Sequence, residues 1–329
     1  MRKLFSVFIV FVLLISPINL SAQNRNVSWE DAKNASLDWI AANIRPGPVV
    51  GSVGGEWAVI AMARAGRITA DDPWARAYLR DLDRTIREVN GLINAGNNIQ
   101  QPPSAGTFPS EMRRWTDFQR ISLALSSLGL DASDYNGNDL TEIFRTFVPI
   151  ARRHALNQSI NADIFALIAL DSNNFSGSRE VFIRSILNNQ RDNGSWGLGA
   201  SPMSTDLDTT AMAIQALALY YDSNVNAAAA IDKALAWLQT QTFQDPESVS
   251  QMIVALTALG PDFAEEAEYY VNLLLRWFDP ATGGFNRSGP RNPVNIMTTE
   301  QAAYALVAYY RFVNGMAPLY DMGDCLTAS

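Results

Sequence analysis

Short runs of alanine and leucine alternate along this chain with longer segments in which apolar residues return every three or four positions. The short runs share a form, an alanine-led hexapeptide that mostly ends on a glycine, polar or aromatic residue. They are Ala61–Gly66, Ala124–Gly129, Ala166–Asp171, Ala213–Ala218, Ala255–Gly260 and Ala305–Tyr310, and their first residues fall 42 to 63 positions apart. Spacings of this size mark stacked supersecondary units, each too small to bury its apolar face alone. Between them, 28–44, 74–94, 138–153, 178–190, 225–241 and 262–278 read as amphipathic helices, with Leu79, Leu82, Ile86 and Val89 on one stripe. The alanine-rich segments are apolar on most faces and belong inside, and the amphipathic ones belong outside. The order is outer helix then inner helix, six times over. It predicts an all-α fold, one closed ring of six helical hairpins, with function at its centre.

Turn signals support this reading. Ser28, three residues before Asp31, reads as the cap of the first helix. A Gly-x-aromatic triplet precedes three of the inner helices, at Gly106–Phe108, Gly194–Trp196 and Gly283–Phe285. In the copy Gln190–Trp196, a glutamine ends an outer helix, a glycine turns the chain and an indole packs back, a clasp between successive units. The stretch from Asn94 to Pro109, with its Asn, Pro and Gly clusters, reads as an inserted loop over one mouth of the ring.

Composition then narrows the chemistry. The chain has 329 residues and 48% apolar content, enough for a large core. Arg2 and Lys3, the apolar run Leu4–Ile15 and Leu20-Ser21-Ala22 have the form of a secretory signal peptide cleaved near Ala22. The expected layout is therefore a leader at 1–22 and a ring at 23–329, with a secreted, periplasmic or cell-surface location and no stable membrane insertion. A net charge of −8 argues against nucleic acid as a partner. His154 and Cys325 are the only histidine and cysteine. This count argues against a His/Cys zinc site and against a Ser-His-Asp triad, so no metal and no cofactor are expected.

The position five residues before each leading alanine is polar in all six copies: Glu56, Gln119, Asn161, Asp208, Ser250 and Glu300. If the inner helices run parallel, these side chains form a polar collar at one mouth, where six helix N-termini add partial positive charge. Trp57, Asp117, Arg120, Asp163, Asp206, Thr209, Glu247, Gln251 and Gln301 extend it. Ordinary capping also favours Asp, Glu, Ser and Asn in first turns.

These motifs resemble those of the terpenoid cyclase and protein prenyltransferase α/α-toroids. Gln190…Gly194-Ser-Trp196 is similar to the Gln–Trp repeat of squalene–hopene cyclases, and Asp206-Leu-Asp208-Thr-Thr-Ala211 to the Asp-x-Asp-Asp-Thr-Ala segment of class II terpene cyclases. Gly55–Val59, Ile160–Asp171 and Glu300–Leu306 resemble secreted bacterial toroid proteins with prenyltransferase-type repeats, relatives of the toroid domain of intrinsic factor and transcobalamin. The resemblance implies a single (α/α)6 toroid. In that cyclase motif the middle aspartate donates a proton, a role that would fall to Asp208 with Asp206 beside it. The chain reads first as a secreted binding module that takes a small molecule (isoprenoid, corrinoid or glycan) or a protein segment at its polar mouth. The alternatives are a metal-independent cyclase-like isomerase using Asp208 as general acid, and a structural surface protein whose core is simply filled.

Overall fold

The structure is a computed structural model that describes residues 27–94, 112, 114–145, 159–198, 205–287 and 293–325. The leader at 1–22, the inserted loop through 109 together with its Gly106–Phe108 triplet, and His154 lie outside the described residues.

Twelve α-helices carry the described fold. Six are inner: α2 (Trp57–Arg64), α4 (Trp115–Ser127), α6 (Asn161–Ser172), α8 (Leu207–Leu217), α10 (Pro246–Leu259) and α12 (Ile296–Val313). Six alternate with them on the outside: α1 (Trp29–Asn43), α3 (Pro73–Asn94), α5 (Glu142–Arg145), α7 (Arg179–Asn188), α9 (Val225–Leu238) and α11 (Ala264–Leu274). Each inner helix packs on the next, and α12 packs back on α2, so the inner six close into a ring. The outer layer leans on it, as α1 does on α12, α7 on α6 and α11 on α10. The fold is an all-α toroid. One short antiparallel pair, β1 (Phe278–Asp279) with β2 (Gly284–Phe285), sits in the last connection.

The small side chains explain the close inner packing. Ala61, Ala124, Ala166, Ala213, Ala255 and Ala305 are all fully buried, and alanine lets neighbouring helix backbones approach while keeping the best helix propensity. The outer helices bury only one stripe, as Tyr78, Leu82, Ile86 and Val89 do on α3. Helix starts are capped by side chains, at Ser28 as the pattern placed it and at three further positions. Ser28 accepts from the Asp31 N–H at 3.0 Å, Asp206 from Thr209 at 2.7 Å, Asp245 from Ser248 at 2.8 Å and Asn295 from Thr298 at 2.9 Å.

The clasp at Gln190–Trp196 is built as its residues suggest. Gln190 Nε2 donates to the Gly194 carbonyl at 2.9 Å and, across to α9, to the Ala230 carbonyl at 2.7 Å. The fully buried Trp196 donates its indole N–H back to Ile186 at 2.7 Å. Its backbone N–H donates to Thr210 Oγ1, fourteen residues on, at 2.9 Å. Phe285 repeats that last bond with Thr299 at the same separation, 3.0 Å. Each clasp thus ties a connection to the inner helix that follows it.

The two mouths of the ring differ. Residues 317–325 lie across the C-terminal ends of the inner helices. Arg64 at the end of α2 and Arg311 near the end of α12 both pair with Asp324. Arg64 also donates to the carbonyls of Pro318 at 2.9 Å and Asp321 at 2.7 Å, and Arg311 to that of Ala317 at 2.8 Å. The Met322 N–H donates to the carbonyl of Ser172 at the end of α6, at 2.7 Å, while Leu319 and Met322 are buried. The Cys325 carbonyl sits against Gly129, just past α4. Pro318–Asp321 and the ends of α6, α8 and α10 enclose a small cavity of about 190 Å³. This strap stoppers one mouth.

Candidate functional site

The opposite mouth holds a cavity of about 610 Å³ to which every inner helix contributes. Its wall includes Trp57 from α2, Thr116 and Arg120 from α4, Asn161 and Phe165 from α6, Asp208 and Met212 from α8, Gln251 from α10, and Gln301 and Tyr304 from α12. Ser52, Arg114 and Ser159 complete it from the loops. All are at or near helix N-termini. The inner helices therefore run parallel, and their N-terminal partial charges meet here.

Aromatic and amide groups divide this wall between them. The Trp57 ring lies 5.6 Å from Phe165 and 5.8 Å from Tyr304, centroid to centroid, with both pairs tilted. An amide row runs beside them. Gln215 Nε2 donates to Gln251 Oε1 at 3.0 Å, and Gln251 Nε2 donates to Gln301 Oε1 at 3.3 Å and to the Tyr304 hydroxyl. Asn161 Oδ1 has no hydrogen-bond partner among the described residues.

Asp208 is the half-buried carboxyl on this wall. Its pKa is pushed up to about 6, first by burial and then by the charges of Asp206, Asp245 and Glu247, against a lowering hydrogen bond from the Ser248 hydroxyl. Asp206, two residues earlier, is turned the other way. Its Oδ1 accepts from the N–H and the hydroxyl of Thr209, so it caps α8 and acts on Asp208 only through its charge.

The six residues in one register do not all face the cavity. Asn161 and Asp208 line it. Gln119 turns into the α4–α6 seam and donates to the Ala162 carbonyl at 2.8 Å. Ser250 donates back to Pro246 within its own helix at 2.7 Å. Glu56 and Glu300 are buried on either side of the α12–α2 seam. The reason is the backbone before α2, a widened helical turn at Ser52–Glu56 broken by Gly54 at φ 72°. That turn leaves the N–H groups of Gly51 and Gly54 without helical partners. Glu56 Oε1 accepts from Gly51 at 2.9 Å and from the Tyr78 hydroxyl at 3.1 Å, and Glu300 Oε2 accepts from Gly54 at 2.9 Å.

Burial raises both carboxyls. Glu56 reaches about 7, restrained by Arg120, whose Nε lies 3.5 Å from Glu56 Oε2. Glu300 reaches about 8, restrained by the Gly54 N–H and raised further by Glu56.

The remaining expected residues divide in the same way. Trp57, Arg120, Gln251 and Gln301 line the cavity. Asp117 accepts from the Arg114 N–H at 2.8 Å and from Arg120 at 2.9 Å, which steadies the start of α4 behind the wall. Asp163 accepts from Ser185 of the outer helix α7 at 2.6 Å. Thr209 is buried under its cap, and Glu247 accepts from the Thr298 hydroxyl in the α10–α12 seam. Ser52, Arg114, Thr116, Ser159, Phe165, Met212 and Tyr304 were absent from the sequence expectations. Phe165, Met212 and Tyr304 sit four residues after Asn161, Asp208 and Glu300, so reading one helical turn further would have found them. Among the described residues no group of His, Cys, Asp and Glu is arranged to hold a metal ion, and no helix is long and apolar enough to cross a membrane.

Fold and site together define the class: an (α/α)6 toroid with one stoppered mouth and one polar, aromatic-walled cavity. No protein-family model and no curated protein matches the chain. Among solved structures it is similar to ent-copalyl diphosphate synthase from Streptomyces platensis, with 20% identity and a TM-score of 0.46 over 77% of this chain and 49% of that one. The chain thus spans about half the length of that protein.

Proposed function

We propose that this protein is a binding module of secreted type, which takes a small molecule into the cavity at the N-terminal mouth of its ring. The carrying observation is that all six inner helices deliver side chains to one concavity of about 610 Å³. That volume falls within the range of small-molecule sites, and a few convergent polar groups over an apolar wall are what fixes a ligand's orientation. A role as a merely structural, core-filled ring fits this poorly, because the space at the ring's centre is open and its polar groups are only partly paired. Native mass spectrometry of the full chain with a metabolite extract tests the reading. A one-to-one adduct that disappears in Gln301→Trp, which blocks the mouth, is the expected result. An adduct indifferent to that substitution, or none at any concentration, would overturn it.

A second reading rests on Asp208 alone. A carboxyl pushed up to about 6 on a cavity wall is partly protonated near neutrality and suits a general acid. The chemistry would be a metal-independent, cyclase-like isomerisation begun by proton donation. The polar character of the surrounding wall favours binding over this alternative, since a developing carbocation is best kept from amides and hydroxyls that can trap it.

A further inference from the structure

Resting on that reading, we infer that the ligand of this cavity is a hydroxyl-rich saccharide carrying a carboxylate, a uronate-type sugar, and not an isoprenoid chain.

The wall sorts candidate ligands by what they would leave unpaired. An apolar chain would cover Trp57 and Phe165 well. It would also strip water from Asn161, Asp208, Gln251 and Gln301, all on the same wall, and offer them nothing. Whatever donor or acceptor on them the wall does not already pair would be buried without a partner, which is costly. A sugar ring meets both demands at once. Its C–H face stacks on an aromatic ring, and its hydroxyls, each a donor and an acceptor, match amides that also present both. Asn161 lines the same wall, and its amide is a further group that a ligand hydroxyl can pair with.

Charge selects further. Arg120 is already matched, by Asp117 at 2.9 Å and by Glu56 at 3.5 Å. Arg114 lines the same cavity, is exposed, and has no ion-pair partner among the described residues. With six helix N-termini directed at the same space, an anionic group beside Arg114 is favoured over a cationic one, most of all below about pH 6, where Asp208 holds its proton. A carboxylate suits a planar guanidinium, which can engage it through two parallel N–H groups.

Isothermal titration calorimetry of the full chain with trigalacturonate, maltotriose and farnesol decides the matter. Trigalacturonate is expected to bind at least tenfold more tightly than maltotriose, and Arg114→Ala, which keeps the backbone N–H that Asp117 accepts from, is expected to erase that difference. Asn161→Ala and Trp57→Phe, with their folding checked by circular dichroism, should weaken both sugars alike. Equal affinity for the two sugars, or no effect of Arg114→Ala, removes the acidic saccharide. Binding of farnesol alone, blocked by Gln301→Trp, also removes it while leaving the cavity a ligand site. Failure of all three probes overturns this inference. The site itself then stands or falls by the adduct experiment described above.

Discussion

The backbone N–H of Gly54 donates to Glu300 Oε2 at 2.9 Å across 246 positions of sequence. This bond joins the last inner helix to the turn that introduces the first, at the seam where the ring closes. The acceptor is a buried carboxyl whose other oxygen has no hydrogen-bond partner among the described residues.

The seam should therefore respond to pH. Glu300 is raised in the folded protein to about 8 and Glu56 to about 7, so the native state holds protons that the unfolded chain has released. Their contribution is full below the ordinary carboxylate range and is lost as pH rises toward 8. Thermal unfolding temperature should fall between pH 5 and pH 8. Glu300→Gln keeps an acceptor for Gly54 and removes the charge, and it should flatten much of that fall. An identical slope in the variant would remove Glu300 as its source.

Gly194 turns the Gln–Trp clasp at φ 96°, and a Cβ there would lie 2.4 Å from the Lys233 carbonyl oxygen. Gly194→Ala should cost about 1–3 kcal/mol through strain, and more if α9 is pushed outward. Urea unfolding measures the loss. A shift within a few tenths of a kcal/mol would show that the clasp adapts freely.

How far the molecule was legible in its sequence follows from these two sites. The alternation of outer and inner helices was plain, because a closed ring forces alanine and leucine onto nearly every face of six helices at a regular spacing. The clasp was plain for another reason: glycine after an outer helix marks a turn that needs positive φ, and an aromatic two residues on marks a side chain that must be buried. Side-chain direction was not legible. Glu56, Asp208 and Glu300 occupy one register, yet only Asp208 faces the cavity, because the Gly54 turn frees N–H groups that draw two carboxyls into the seam. The strap was invisible as well. Nothing in the pattern singles out Arg64 or Arg311, and their shared partner Asp324 lies 260 positions from the first of them.

Removing that shared contact tests the strap. Arg64 is 3% exposed, so Arg64→Ala should cost about 1–3 kcal/mol for the Asp321 carbonyl left without its donor and for the lost half of the Asp324 pair, which Arg311 still holds. The Met322 amide, now bonded to Ser172, should exchange its hydrogen faster by an order of magnitude or more, while amides in α10 keep their protection. Unchanged exchange at Met322 would mean that Arg311 and the buried Leu319 and Met322 hold the strap without it.

Asp208 offers a test that bears on both functional readings. Above about pH 6 its carboxylate adds negative charge to the cavity, so affinity for an anionic ligand should fall as pH rises through that value. Asp208→Asn retains an acceptor for Ser248 and should make the affinity nearly independent of pH. It should change stability by no more than about 1 kcal/mol. If the protein instead catalyses a proton-initiated reaction, the same substitution abolishes turnover and leaves binding in place.

The strap also sets what kind of traffic the ring can carry. A tube open at both ends can thread a polymer and slide along it, handling one unit after another without letting go. Here residues 317–325 close the far end, so whatever enters must leave by the same door. A long chain could present only its terminus or a side branch. The protein would then read ends, one visit at a time.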